Sequence, residues 1–270
     1  MYCKVCGAAN AAGNTVCTVC EQPIEEDSGK TEDESLLNGG AVQGWDPFFS
    51  ISGSQFSYAV DPEGTWSVAW SPDGERIAVG SHSGVEILNV ANGEVVFKHD
   101  WPYAEVTAVT WSPDGRYIAC GGSGYDLGLQ FHSGIVEVWE VATNRSAYFY
   151  DVPRNDNTVA IAWSPNGKYL AFGSTVEVQI WETAAWSHVY TAASPAYVGN
   201  AVAWSPDSKR LASAGSLDPR VAVWNATDGG YVYIYAGHTI GVESLAWSPD
   251  GKRIASGGRD HTVQVWEPPL

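Results

Sequence analysis

One pentapeptide, written five times, limits what this chain can become. Trp70-Ser-Pro-Asp-Gly74 recurs as Trp111-Ser-Pro-Asp-Gly115, Trp163-Ser-Pro-Asn-Gly167, Trp204-Ser-Pro-Asp-Ser208 and Trp247-Ser-Pro-Asp-Gly251. The Trp-to-Trp intervals are 41, 52, 41 and 43 residues. A period of this size marks a repeat architecture, in which each unit buries its apolar face only by stacking on its neighbours. An alternating apolar stretch precedes each copy, such as Ser67-Val-Ala-Trp70, and another follows, such as Arg76-Ile-Ala-Val-Gly80. Two stretches of period two joined by a tight turn make a β-hairpin. The turn has its own chemistry: Pro presets φ, Asp or Asn holds local amides, and Gly accepts positive φ. Ser208 replaces that Gly in the fourth copy, which predicts a turn there that is strained or of a different type.

A third strand follows each hairpin: Val85-Glu-Ile-Leu88, Val136-Glu-Val-Trp139, Val178-Gln-Ile-Trp181, Val221-Ala-Val-Trp224 and Val263-Gln-Val-Trp266. A fourth appears by fixed offset, because an aromatic residue lies fourteen residues before each hairpin Trp: Phe56, Phe97, Phe149, Tyr190 and Tyr233. With four strands per unit in five copies, residues 54–270 resemble the WD-repeat family, and the last copy matches most fully. There Gly237-His238, Trp247-Ser-Pro-Asp-Gly251, Ala255-Ser-Gly257, Asp260 and Trp266 stand in order. The resemblance implies that His238, Ser256, Asp260 and Trp266 form a hydrogen-bonded structural tetrad. The other copies depart from it: none has the His, Cys120 and Phe172 occupy the place of Ser256, and Leu88 that of Trp266.

The fold expected is therefore all-β, a five-bladed WD-repeat β-propeller. The last copy ends after its third strand, while Gln55-Phe-Ser-Tyr58 stands before the first hairpin. In the family such a spare strand completes the last blade and latches the ring. Propellers hold 4–8 blades, with seven usual for this family, so the alternative is an incomplete ring finished by a partner chain.

Ahead of the repeats, Cys3-x-x-Cys6 and Cys17-x-x-Cys20 are separated by ten residues. Two such knuckles can wrap four thiolates tetrahedrally around one metal ion. Residues 1–24 thus resemble a zinc ribbon holding one structural Zn2+, and the metal would supply most of the folding free energy of so short a segment. Rubredoxin-like iron binding uses the same donor set and stays open as a redox alternative. Residues 25–53 read as a linker, with six acids and one Lys between 25 and 35. Such a stretch is a solvated tether or an electrostatic bait for a basic partner. Trp45-Asp-Pro-Phe-Phe49 is too aromatic for a plain tether.

Charge narrows the function. A formal net charge of −17 opposes phosphate backbones and anionic membrane surfaces, so neither nucleic acid nor membrane is an expected partner. No apolar stretch reaches the length of a membrane span, and no signal-like segment opens the chain. A cytoplasmic, monomeric protein that binds other proteins is the expectation. Its partner face would lie on the loops between blades and between second and third strands, where Trp101, Tyr103, Tyr125, Phe131, Arg154 and Tyr197 occur. Aromatics and Arg dominate interface hot spots. The loop between Cys120 and Gly134 is about nine residues longer than its counterpart in the last copy, and long loops inside compact domains often carry function. Cys120 reads as a small core residue. Catalysis is not expected, since the six His are scattered and neither a carboxylate pair nor a nucleophile elbow stands out. A propeller hydrolase, and a ribbon acting in redox or nucleic-acid binding, are the rival readings.

Overall fold

The computed structural model describes residues 64–269 apart from 102–103, 127–130, 153–157, 175–176 and 194–198. The chain divides into two units, Met1–Trp45 and Asp46–Leu270, and all described residues belong to the second. They form nineteen strands and no helix.

The strands group into five antiparallel sheets, one per hairpin motif. The first holds β1 (Thr65–Trp70), β2 (Arg76–Ser81), β3 (Gly84–Asn89) and β4 (Val95–Asp100) in chain order. The second holds β5 (Ala104–Trp111), β6 (Tyr117–Asp126), β7 (Phe131–Glu140) and β8 (Arg145–Val152). The third runs β9 (Thr158–Trp163), β10 (Tyr169–Ser174), β11 (Glu177–Glu182) and β12 (Ser187–Ala193). The fourth has β13 (Ala201–Trp204), β14 (Arg210–Gly215), β15 (Asp218–Asn225) and β16 (Tyr231–Tyr235). The fifth has only β17 (Val242–Trp247), β18 (Ile254–Gly258) and β19 (Val263–Trp266). Phe97, Phe149, Tyr190 and Tyr233 all fall in fourth strands. Phe56 lies outside the described residues, and among the described residues the last sheet has three strands where the others have four.

The turn chemistry read from the pentapeptide recurs in every sheet. In the first, the Gly74 amide donates to the Ser71 carbonyl at 2.9 Å. The Ser71 hydroxyl donates to Asp73, whose Oδ1 accepts the Glu75 amide at 3.0 Å. Gly74, Gly115, Gly167 and Gly251 have φ of 70–73°, and Ser208 adopts the same left-handed conformation at φ 61°. The strain expected at Ser208 is present, and its hydroxyl is used: it accepts the Asn166 amide of the preceding sheet's turn at 3.0 Å.

Three of the four joints between sheets share one repeated contact, and at the other, between the second and third sheets, the Trp163 indole nitrogen is buried without a partner among the described residues. The indole N–H groups of Trp111, Trp204 and Trp247 donate to the carbonyls of Ala69, Ala162 and Ala203, one sheet back, at 3.0–3.1 Å. Apolar rows fill each joint. Ala78, Val85, Ile87 and Phe97 pack against Val106, Val109, Trp111 and Ile118 between the first two sheets, and the same pattern continues to the fifth. β1 packs on β5, β5 on β9, β9 on β13 and β13 on β17. Among the described residues no comparable contact joins the fifth sheet to the first.

Candidate binding surfaces

The last sheet builds its hydrogen-bonded chain from four residues far apart in sequence. His238 Nδ1 lies 2.9 Å from Asp260 Oδ2, His238 Nε2 lies 2.8 Å from Ser256 Oγ, and Trp266 Nε1 donates to Ser256 Oγ at 3.4 Å. A neutral imidazole protonated on Nδ1 satisfies every contact: indole to hydroxyl, hydroxyl to Nε2, Nδ1–H to carboxylate. Burial alone would raise the Asp260 carboxyl, but the Thr239 amide, Thr262 and His238 outweigh it and hold the group well below the usual range. The structure thus brings together all four residues that the resemblance assigned.

The fourth sheet carries three of the four, which the sequence comparison overlooked. Trp224 Nε1 donates to Ser213 Oγ at 2.8 Å, as Trp266 does to Ser256. Asp218 stands six residues before Trp224, as Asp260 stands before Trp266. It is buried and pairs with Arg220 through Nε at 2.9 Å and Nη2 at 2.8 Å. Those equal offsets were the signal available in the sequence.

The long segment after Cys120 requires a correction. It is not an irregular loop: β6 and β7 continue their ladder as Gly122↔Ile135, Gly124↔Ser133 and Asp126↔Phe131. β5 extends beside them, with Ala104 opposite Gly124. The extra residues lengthen a hairpin, and its tip, 127–130, lies outside the described residues. Tyr125 and Phe131 sit on that extension one register step apart, Tyr125 opposite His132 and Phe131 opposite Asp126. Trp101 also needs correcting, because it is 7% exposed. Its indole N–H donates to the buried Glu137 at 2.9 Å, and its ring packs with Val106 and Val109 in the joint between the first two sheets. An indole so enclosed is a core element and offers little surface to a partner. Tyr103, Arg154 and Tyr197 lie outside the described residues, as do Cys3, Cys6, Cys17 and Cys20. Cys120 is a fully buried free thiol, pushed far above its ordinary pKa by burial and then by the charge of Glu137.

A groove of about 590 Å³ lies between the hairpin turns of the second and third sheets, lined among others by Arg116, Tyr117, Trp163, Asn166, Thr183 and Trp186. Its most unusual member is Trp186. The turn between third and fourth strands needs one left-handed residue in four sheets, filled by Gly93, Asn144, Trp186 and Gly229. Gly and Asn suit that region, whereas a bulky side chain there is strained. Trp186 nevertheless holds φ 49°, stacked on Tyr148 at 5.2 Å and edge-on to Tyr117 and Trp163 at 6.2 and 6.0 Å. The Arg116 guanidinium lies 5.2 Å over the Tyr117 ring and 3.1 Å from Glu140. Strain of this kind persists where the surroundings enforce it, and it concentrates at functional sites. The groove is not legible in the sequence, because each of its residues looks like ordinary repeat filler.

Among the described residues no group of three or more His, Cys, Asp or Glu is placed to hold a metal ion, and no helix is long and apolar enough to cross a membrane. No curated protein matches the chain. A family model described as WD domain, G-beta repeat, matches residues 187–225 and 229–267. A second, described as eukaryotic translation initiation factor eIF2A, matches residues 50–186. With just over half of its length inside the second and its last two repeats inside the first, the chain belongs to the eIF2A family as that model defines it, and it carries the repeats of the WD-type β-propellers.

Proposed function

We propose that the protein is a non-catalytic interaction scaffold, and that the groove at Trp186 is a contact site for a protein partner. The observation that carries this reading is the strained Trp186 at a turn where the neighbouring sheets place Gly or Asn. Ring packing on Tyr148, Tyr117 and Trp163 holds Trp186 in this conformation, and a rigid aromatic beside Tyr117 and Arg116 is also what an interface hot spot requires. The WD-type repeats support a protein-binding role in general. The test replaces Trp186 with Asn, the residue that the second sheet uses at this turn. Stability should stay within about 1 kcal/mol, because relief of backbone strain offsets lost ring packing. Partners recovered by crosslinking in the native cell should drop out. Unchanged crosslinks would remove the groove from consideration.

The match over residues 50–186 favours a second reading, a part in translation initiation. With a net charge of −17, the contact would be with basic proteins and not with RNA backbone. Co-sedimentation with initiation complexes, unchanged by nuclease treatment, is the expected result; a purely nuclease-sensitive association counts against it.

For the parts outside the described residues, the reading rests on sequence. Cys3, Cys6, Cys17 and Cys20 form a closed thiolate set suited to one structural Zn2+, and elemental analysis should return one zinc and no iron per chain. Gln55–Tyr58 supplies the fourth strand of the fifth sheet, along the outer edge of β19. Hydrogen exchange of the β19 amides should quicken in a chain that starts at residue 60; equal protection would show that the edge is covered otherwise.

A further inference from the structure

The outer strand of the fourth sheet differs from the other outer strands in its chemistry. β4, β8, β12 and β16 each stand at an end of a sheet, with no further strand beside them among the described residues. Such an edge keeps a row of backbone N–H and C=O groups open to pairing, and proteins blunt it with charges or breaks in the ladder. β4 carries Lys98 and Asp100, β8 carries Arg145 and Asp151, and β12 carries Ser187, His188 and Thr191. β16, Tyr231-Val-Tyr-Ile-Tyr235, has no charged, Gly or Pro residue. The bulge where it meets β15, at Val223/Trp224, recurs at the matching place in the other three sheets, so it does not set β16 apart.

Alternation divides the side chains of β16. Tyr233 and Tyr235 turn toward the fifth sheet, where the Trp266 ring lies 5.8 and 4.3 Å away. Val232 and Ile234 point the other way and are 37% and 43% exposed. At the register of Ile234, β4 places Lys98 and β12 places Thr191; β8 places Phe149 there, with Asp151 next along the same face. The strand also reads nearly the same in both directions about Tyr233. Two such strands running antiparallel about a twofold axis at Tyr233 set each Val232 opposite Ile234 of the other copy, and each Tyr opposite a Tyr. Residues directly opposite share a face, and aromatic and β-branched residues make favourable cross-strand pairs. Charge agrees: the net −17 opposes contact between two copies, and β16 contributes none of it.

We propose that two copies of this chain pair through β16, antiparallel and in register about Tyr233, in place of the monomer expected from the sequence. The two fourth sheets then continue as one sheet. The occupant is a second copy because the strand is its own complement, as the self-matching patch of an isologous twofold contact must be. Pairing uses both edges, so assembly stops at two. Five residues a side is fewer than the roughly 20–30 of a stable interface of standard size, which makes the dimer reversible and dependent on concentration. Salt screens the repulsion between two acidic chains, so high ionic strength favours it.

The experiment measures molar mass in solution against concentration, at low and high salt, on the full chain. The wild type should rise from the 29.0 kDa of one chain toward twice that mass and no further, more readily at high salt. Val232→Lys and Ile234→Glu should each melt as the wild type does, because both side chains are partly exposed, yet associate at least tenfold more weakly. Mixed together, the two variants should form a one-to-one pair, since position 232 of one copy faces position 234 of the other. That pair should weaken with added salt, the reverse of the wild type. A wild type of single-chain mass at every concentration up to about 1 mM overturns the proposal, as do species larger than two chains. So does either variant associating normally alone, or a mixture that yields no pair.

Discussion

A single atom separates the second sheet from the fourth and fifth. In those two, the terminal Trp of the third strand donates to a serine hydroxyl two positions along the neighbouring strand, Ser213 or Ser256. In the second sheet Cys120 takes that place in the same register, and the Trp139 indole nitrogen is buried without an acceptor. A sulfur is a poor acceptor, and an unmet buried donor carries a desolvation cost of about 1–3 kcal/mol. Cys120→Ser should therefore stabilise the fold by about 1 kcal/mol, read as a rise in melting temperature; a lower one would show that the apolar cluster around Cys120 governs the site. The converse changes are equally specific. Ser256→Ala leaves the Trp266 indole N–H and His238 Nε2 without a partner and should cost about 1–3 kcal/mol. Arg220→Ala strips the buried Asp218 of its main counter-charge and should cost a similar amount, because a buried carboxylate without a partner is expensive. Denaturant midpoints of the two variants decide both.

The hairpin turn is the element on which the repeat depends, and its acid is poised by geometry. A hydrogen bond from the Ser71 hydroxyl, then one from the Glu75 amide, hold Asp73 down to about 2 from an ordinary 3.8. Asp207 and Asp250 are lowered in the same way, first by Ser205 and Ser248. A carboxyl depressed in the folded state contributes stability that is complete above its unfolded pKa and disappears as pH falls through the folded one. The turns should accordingly weaken between about pH 4 and pH 2. Asp73→Asn, which copies the natural Asn166 turn of the third sheet, should flatten that slope in acid melts; parallel curves for variant and wild type would contradict it. At this same scale the sequence both spoke and misled. Alternation and the pentapeptide placed four strands in each of four sheets, because strand period and turn chemistry are local properties. Residues after Cys120 looked like a loop because Gly121, Gly122 and Gly124 are poor strand formers. Their reason is tertiary: a Cβ at Gly122 would lie 1.9 Å from the Glu105 carbonyl oxygen of the neighbouring strand.

At the scale of the molecule, stacked sheets share one joint, repeated, and their stability depends on neighbours as in other repeat arrays. Loss of a joint should therefore spread. Trp204→Ala removes an indole that is 7% exposed and bonded across to Ala162, and should cost about 3–5 kcal/mol. It should also loosen the third and fourth sheets together; hydrogen exchange confined to the fourth alone would refute that coupling. By itself the sequence determined the number of units, their strands and their turns, since each follows from local period and fixed offset, while the four residues of the last tetrad were implied by the resemblance to the WD-repeat family. Only the tertiary structure decided that Trp101 belongs to the core, that Trp186 is strained beside a groove, and that β16 stands at the edge of its sheet with Val232 and Ile234 turned outward. Those are properties of what lies opposite a residue, and a repeat writes the same letters whether or not a neighbour arrives to cover them.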